Sequence, residues 1–245
     1  MSCNVNDLHF YAECAKHAYL PEKEGKAEYK NLGFTKSKLI DIDGAQVYCV
    51  SNKTTVVVCF RGTQPTEFGD VAADLRFWPT EQKQGEGKVH QGFAEEVNKV
   101  EAEIAAFLEG KDQKEVIACG HSLGGAMTVI WCARNESVVS KAYTYGCPRV
   151  GNKTFVQKAT FEHYRCVNNN DIVTRVPPPV FFKHHGEIQY INFQGHYTGI
   201  YSKWIDFIDG LKGLWAALKK FEFFDGARDH DIAKYAKYLE QSKEL

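Results

Sequence analysis

GHSLGG at positions 120–125 follows an apolar run at 116–119 and precedes a helical pattern at 126–134. Gly120 and Gly124 lie two residues to either side of Ser122. A Gly-x-Ser-x-Gly turn between a strand and a helix is typical of a nucleophile elbow, which holds the serine hydroxyl clear of the backbone. The helix N-terminus there directs its amides toward developing negative charge. The alternative at this point is a glycine-rich turn whose serine only caps the helix.

The length and composition limit the class of protein. We expect one domain over residues 1–245, because no linker, repeat or charge block divides the chain. Hydrophobic residues make up 44% of the sequence and the formal net charge is -1, which is ordinary for a globular protein. This charge balance argues against a nucleic-acid partner, which would need a basic face. We expect a monomer.

The eight cysteines are scattered over predicted strands and helices without clustered spacing. Residues 1–7 show no signal-peptide pattern, and no apolar stretch is long enough to cross a bilayer. We therefore expect reduced core cysteines and a cytoplasmic location. Export without a cleavable signal and a mature secreted form remain open.

Predicted strands and helices alternate along the chain. The patterns predict helices at 6–19, 92–108 and 126–134, a short one near 152, helical parts in 201–224, and a last helix at 232–239. They predict a hairpin at 39–50 turning at Asp43-Gly44, and strands at 55–60, 116–119, 142–145, 164–167 and 187–193. This alternation predicts a mostly parallel central sheet with helices on both faces. Active sites of such sheets lie at the carboxyl ends of the strands.

Asp171 is the best candidate for the acid that a nucleophilic serine requires downstream. In folds with an elbow the order along the chain is serine, acid, histidine. Asp171 follows the predicted strand 164–167, so it lies at a carboxyl strand end. A plain turn aspartate is the alternative, and the acids within or beside helical segments are weaker rivals: Asp206, Asp209 and Asp225.

The general base remains open between two histidines. His163 precedes Asp171 and breaks the expected order. His196 lies in a loop flanked by glycine, and His230 opens the last predicted helix from a loop. A base on a loop reaches the sheet edge without distorting the core, so His230 ranks slightly above His196.

A metal site at His184, His185 and Glu187 is an alternative that we do not favour. Adjacent residues of a strand point to opposite faces, so the two histidines would not share an ion. We expect no metal.

Ester hydrolysis needs at least two donors for the oxyanion. One is normally the amide after the nucleophile, which is that of Leu123. Thr63 follows the predicted strand 55–60 and a glycine, and is the candidate for the second donor through its amide and hydroxyl. A turn threonine without this role is the alternative.

Taken together, these motifs resemble the class 3 lipases, the fungal-type triacylglycerol lipase family of the α/β-hydrolase fold. The matching stretches are VCFRGT at 58–63, VHQGF at 89–93, GHSLGG at 120–125, YTYGCPRVGN at 143–152 and NDIVTRVPP at 170–178. Its C-terminal motifs are similar to HHGE at 184–187 and to Asp229-His230 with Tyr235.

The resemblance implies roles for these residues. Ser122 would be the nucleophile, Asp171 the orienting acid and His230 the base, in preference to His196. Thr63 and Leu123 would form the oxyanion hole, and the remaining matching histidines, His90 and His121, would support the site. The implied activity is cofactor-free hydrolysis of lipid esters through an acyl-enzyme. A phospholipase A1, a feruloyl-type esterase and a catalytically idle interaction protein are the alternatives.

A lid is also implied, because the family's interfacial lid follows the oxyanion loop. Here that segment is 64–79, an amphipathic flap at a lipid–water interface or else a packed surface loop. Apolar residues at helical spacing in 204–218 indicate core or a membrane-facing surface, of which core is the commoner arrangement.

Overall fold

The computed structural model describes residues 3–62, 78–112, 114–169, 171–192, 194–199 and 229–243. Its strands are β1 Lys36–Ile42, β2 Ala45–Ser51, β3 Thr55–Phe60, β4 Pro79–Glu81, β5 Lys88–His90, β6 Glu115–His121, β7 Lys141–Tyr145, β8 Glu162–Asn168 and β9 Glu187–Ile191. The helices are α1 Val5–His17, α2 Glu22–Asn31, α3 Gln91–Leu108, α4 Leu123–Arg134, α5 Lys153–Lys158 and α6 Ile232–Gln241, with a 3₁₀ turn at Val173–Arg175.

Seven of these strands form one sheet in the order β1-β2-β3-β6-β7-β8-β9. Strands β1 to β3 pair antiparallel, and the pairs from β3 to β9 are parallel. A separate two-stranded hairpin joins β4 and β5. The mostly parallel sheet that the alternating pattern predicts is confirmed.

Helices cover both faces of the sheet. In β3, Val56 and Val58 pack into one layer with α3 and α4, whereas Val57 and Cys59 pack into the other with α1 and α6. Such a strand reads as a continuous apolar run because neither of its faces meets water. Both layers therefore anchor the strand whose carboxyl end lies next to the elbow.

Most predicted elements are confirmed within a few residues. The β1–β2 hairpin turns at Asp43 and Gly44, whose φ values of 48° and 82° fit the left-handed turn that this pair favours. The helix expected at 126–134 begins earlier, at Leu123, because the glycines after Ser122 are already helical.

Two elements escaped prediction. Helix α2 buries only Gly25 and Tyr29, so its sequence lacks an apolar stripe. The β4–β5 hairpin has only three residues in each strand, which is too short for a period to show.

All eight cysteines are unbridged, and seven of them are buried. Within the described ranges, no helix is both long enough and apolar enough to cross a bilayer. Several predictions and alternatives lie outside the described residues. They are Thr63, all but the last two residues of the 64–79 lid, the end of the strand at 193, the helical parts in 201–224 with the apolar positions in 204–218, and the rival acids Asp206, Asp209 and Asp225.

Candidate active site

Ser122 occupies the sharp turn between β6 and α4. Its φ of 59° and ψ of -129° are a conformation that residues other than glycine rarely adopt. Such strain persists only where the surrounding structure enforces it, and it concentrates at functional sites. The Ser122 side chain makes no capping hydrogen bond to the helix, so the capping alternative is wrong.

The two glycines of the elbow are required by close packing. A Cβ at Gly120 would lie 2.7 Å from the hydroxyl of Thr128. At Gly124 it would lie 2.8 Å from the carbonyl carbon of Arg61, just after β3. Side chains at these positions would therefore push α4 away from the sheet and release the turn at Ser122.

Asp171 follows β8 and is fully buried, as is His230 apart from 1% of its surface. The Asp171 carboxylate oxygens lie 3.0 and 2.9 Å from Nδ1 of His230. The Tyr235 hydroxyl donates to Oδ2 of Asp171 at 2.5 Å, and the Val173 amide donates to Oδ1 at 2.9 Å. Every oxygen of the buried acid thus has a donor.

The electrostatics keep this acid ionised. Burial alone would raise the pKa of Asp171, but the charge and hydrogen bond of His230 and the hydrogen bond from Tyr235 outweigh it, so the pKa lies below its ordinary value. An ionised carboxylate at Nδ1 holds the proton on that nitrogen. Nε2 of His230 is then the basic nitrogen.

The turn that carries His230 is fixed by bonds to the sheet. The side-chain amide of Asn168 donates to the Asp229 carbonyl at 3.0 Å, and Nε2 of His121 lies 2.6 Å from the His230 carbonyl oxygen. His196, by contrast, lies exposed in the turn after β9. Of the two histidines that the sequence left open, the structure brings His230 to Asp171.

The end of β7 brings the elbow and the acid–base pair to one sheet edge. The Ser122 amide donates to the Tyr145 carbonyl at 3.0 Å. At the next residue, Gly146, a Cβ would lie 2.6 Å from Oδ2 of Asp171 and 2.8 Å from Nδ1 of His230. Tyr145 and Gly146 are adjacent residues, so Ser122 and the Asp171–His230 pair lie together at the edge formed by the carboxyl ends of the strands.

The candidate oxyanion donors lie on either side of Ser122. Leu123 is the first residue of α4, so its N–H has no acceptor within the helix. Gly62 precedes Thr63 on the loop after β3, and a Cβ there would lie 3.1 Å from Cβ of Ser122. That loop therefore approaches the serine where the sequence predicts the second donor.

The other histidines singled out from the sequence have different surroundings. The ring of His90 stacks on Phe93 with centroids 4.0 Å apart, and burial lowers its pKa to about 4. Nε2 of His184 lies 2.8 Å from the Thr174 carbonyl, and His185 stacks on His163. Among the described residues, no group of three His, Cys, Asp or Glu side chains is arranged to hold a metal ion.

Two contacts of the site escaped sequence reasoning. Tyr235 was singled out as part of a motif without a role, and its hydroxyl bonds the acid. Tyr19 is the last residue of the helix predicted at 6–19 and has no predicted role, yet its hydroxyl lies 2.8 Å from Nδ1 of His121. No local sequence pattern predicts either contact, because each contact joins segments that are far apart in the chain.

Comparison with known proteins identifies the family. A family model described as lipase (class 3) matches residues 57–181, about half of the chain, including Ser122 and Asp171. The chain belongs to the class 3 lipase family. The solved structure of the Rhizomucor miehei triacylglyceride lipase superposes with a TM-score of 0.66 at 25% identity, covering 78% of this chain and 82% of that one. The α/β-hydrolase fold is thereby confirmed.

Curated relatives in this family match over shorter spans. The Rhizomucor miehei lipase is 35% identical over 174 residues, which are 64% of this chain and 47% of that protein. A secreted mono- and diacylglycerol lipase of Fusarium solani is 37% identical over 111 residues, 42% of this chain and 33% of that protein. The class 3 lipase chain thus spans about half or less of the length of these relatives.

Proposed function

We propose that this protein is a serine hydrolase that cleaves lipid carboxylic esters through an acyl-enzyme. Ser122 is the nucleophile, His230 the general base and Asp171 the acid that orients it. Thr63 and Leu123 supply the oxyanion donors. The reaction needs no organic cofactor, because the serine, the histidine and water carry every bond change.

The reaction runs in two halves. Nε2 of His230 takes the proton of the Ser122 hydroxyl while the oxygen attacks the ester carbonyl, and amides at the helix N-terminus stabilise the oxyanion. The tetrahedral intermediate collapses, and His230 returns the proton to the departing alcohol. Water then attacks the acyl-enzyme with His230 as base, which releases the fatty acid and restores the Ser122 hydroxyl.

The observation that carries this proposal is the strained backbone of Ser122 at the sheet edge where the buried Asp171–His230 pair lies. A structural turn has no need of a serine at a φ of 59°. An isolated buried ion pair likewise stabilises a fold little, because desolvation offsets the attraction. Their joint presence is best explained by nucleophilic catalysis.

Labelling the serine tests the proposal directly. The folded protein is incubated with an organophosphate ester and its intact mass is measured, with Ser122→Ala as the matched control. We expect one adduct per chain in the wild type and none in the variant. An unlabelled wild type, or a variant that is labelled equally, would refute the proposal.

For the substrate, we propose acylglycerols, because the relatives are named as triacylglyceride and as mono- and diacylglycerol lipases. Rates on tri-, di- and monoacylglycerols are compared with rates on a phospholipid and on a feruloyl ester. Faster turnover of the phospholipid or the aryl ester would replace this substrate class by a phospholipase A1 or an esterase. The lid, the single domain, the monomeric state and the cytoplasmic location remain predictions.

A further inference from the structure

The residue before the nucleophile, His121, makes contacts that the proposed reaction steps do not use. Its ring is fully buried and packs on the ring of His230 with centroids 4.4 Å apart. Nε2 of His121 lies 2.6 Å from the His230 carbonyl oxygen, and Nδ1 lies 2.8 Å from the Tyr19 hydroxyl. One ring thus contacts both the base and the N-terminal segment.

The direction of both hydrogen bonds follows from chemistry. A carbonyl oxygen only accepts, so Nε2 of His121 carries the proton and donates it to His230. Nδ1 then has a lone pair and accepts from the Tyr19 hydroxyl. Burial, followed by the charge of His230, lowers the pKa of His121 to about 3, so the ring stays neutral. A neutral ring keeps both bonds and adds no charge beside His230 when that residue takes up a proton.

Tyr19 extends this chain of contacts to the loop after β3. A Cβ at Gly62 would lie 2.6 Å from the Tyr19 hydroxyl oxygen. Burial raises the pKa of this hydroxyl, and the hydrogen bond from the Gly62 amide lowers it by a smaller amount. The Arg61 guanidinium lies over the Tyr19 ring, 5.6 Å from its centroid. Tyr19 therefore bridges the elbow and the loop that precedes Thr63.

We propose that Tyr19 and His121 are positioning residues that hold the turn of His230 and the loop after β3 in register with Ser122. The proposal rests on the proposed function, since it assigns how the same site keeps its geometry. His121 acts through its hydrogen bond to the His230 backbone and through its packing on the His230 ring. Tyr19 acts through His121 and through the loop at Gly62.

His230 requires contacts that fix its position, because it does not lie within a helix or a strand. It lies in a turn just before α6, whose first residue is Ile232. The bond from Asn168 fixes Asp229, and the bond from His121 fixes His230 itself. Displacement of a catalytic group by about 1 Å costs on the order of a hundredfold in rate. Loss of the His121 bond should therefore lower turnover more than it weakens substrate binding.

Four variants test the proposal against a purely structural role. Tyr19→Phe removes one oxygen, His121→Leu removes both ring bonds, and His121→Gln restores a donor near the Nε2 position. Tyr29→Phe is the matched control, because the buried Tyr29 hydroxyl donates to the Cys14 carbonyl at 2.8 Å. The Tyr29 ring packs on His17, Phe34 and Tyr48 rather than on Ser122, Asp171 or His230. Each variant is assayed for kcat and KM on a short-chain ester, and for its melting temperature.

We expect Tyr19→Phe to lower kcat about tenfold, the effect of one hydrogen bond, with KM nearly unchanged. His121→Leu should lower kcat about a hundredfold, and His121→Gln should recover most of that loss. Tyr29→Phe should lower the melting temperature and leave kcat unchanged. Equal kcat values for Tyr19→Phe and Tyr29→Phe would overturn the proposal.

A second readout does not depend on hydrolysis. The Nδ1 proton of His230, bonded to Asp171, is followed as a downfield proton resonance by NMR in the Ser122→Ala protein. Tyr19→Phe should shift or broaden this resonance, whereas Tyr29→Phe should not. A resonance that is neither shifted nor broadened in Tyr19→Phe refutes the coupling, while absence of wild-type hydrolysis and of a Ser122 adduct refutes the proposed function. The two failures are thus separate observations.

Discussion

Two pairs of histidines pack ring against ring in this molecule, and only one of the pairs meets a carboxylate. His121 and His230 pack together at the carboxyl edge of the sheet, with ring centroids 4.4 Å apart. His163 and His185 stack with centroids 5.3 Å apart, and His163 faces Thr144 of β7. Ring packing is therefore common to both pairs, and His163 is buried like His121 and His230, whereas His185 is half-buried.

What differs is the partner of each imidazole. His230 has the ionised Asp171 at Nδ1. His163 has the Thr144 hydroxyl 2.8 Å from Nε2 and the other ring 3.1 Å from Nδ1, and burial followed by the neighbouring charges holds its pKa well below the ordinary value. A buried histidine without a carboxylate stays neutral and structural, whereas a carboxylate at a strand end makes it a base.

Removing the carboxylate of Asp171, which distinguishes the His121–His230 pair from the other, should cause the largest loss of activity. In Asp171→Asn the His230 ring loses the anion that fixes its tautomer and stabilises its protonated form. We expect kcat to fall by about four orders of magnitude, as in other serine triads. Steady-state rates on a soluble ester measure this, with circular dichroism as the control for folding. A folded variant that keeps a tenth of the activity would assign the acid to another residue.

Displacing Asp171 and His230 without replacing either residue should cause the next largest loss of activity. Gly146 has a φ of 57°, and a Cβ there would press on both Asp171 and His230. We expect Gly146→Ala to lower kcat by about two orders of magnitude, because displacement of Asp171 and His230 by about 1 Å misaligns the base. The measurement is kcat on the same ester.

Gly44→Ala is the matched control for backbone strain. Gly44 also has a positive φ, of 82°, but among the described residues no atom beyond its chain neighbours lies within 4 Å of an added Cβ. This variant should lose some stability and keep its kcat. Equal losses of kcat in both variants would show that strain alone, and not contact with the pair, lowers activity.

Removing the Tyr235 hydrogen bond to Asp171 should cause a smaller loss of kcat and a pH-dependent loss of stability. The hydrogen bond from Tyr235 is among the contacts that hold the pKa of Asp171 below its ordinary value. A depressed pKa contributes stability at pH values above the unfolded pKa, and that contribution is lost as the pH falls through the folded pKa. Tyr235→Phe raises the folded pKa toward the unfolded one, so acid unfolding should begin at a higher pH.

The matching measurements are acid unfolding followed by fluorescence and kcat at neutral pH. We expect kcat of Tyr235→Phe to fall about tenfold, the effect of one hydrogen bond to a charged group. Tyr29→Phe removes a buried hydroxyl that bonds a neutral carbonyl, so it serves as the control. If both variants shift the acid midpoint equally, Tyr235 has no special effect on Asp171.

The same contrast explains how much of the site the sequence could predict. Ser122 and Asp171 could be placed because Ser122 directly follows β6 and Asp171 comes three residues after β8, and strand ends meet at one edge. The choice between His196 and His230 could not be made from local pattern, since both lie in loops. The distance between His230 and Asp171 is a property of the folded chain.

Contacts between distant segments explain the rest. Tyr19 meets His121 across 102 positions of the sequence. Tyr235 lies on an amphipathic helix, where its spacing fits a core position equally well. Helix α2 lacks an apolar stripe and so was missed for a local reason. Periodicity thus predicts the layers of the fold, and the hydrogen bonds that support the site require the tertiary structure.

The smallest expected effect on activity comes from the histidine pair without a carboxylate. His163→Leu keeps the volume of the side chain but leaves the Thr144 hydroxyl and His185 without their partner, which costs about 1 to 3 kcal/mol. For a chain of this size the melting temperature should fall by about 2 to 12 °C. We expect kcat to stay within about twofold of the wild type, because each uncompensated group acts on stability rather than on a reacting atom. Calorimetry and ester hydrolysis on the same sample measure both. A large loss of kcat at an unchanged melting temperature would mean that the His163–His185 pair also influences the active site, and would remove the distinction between the two pairs.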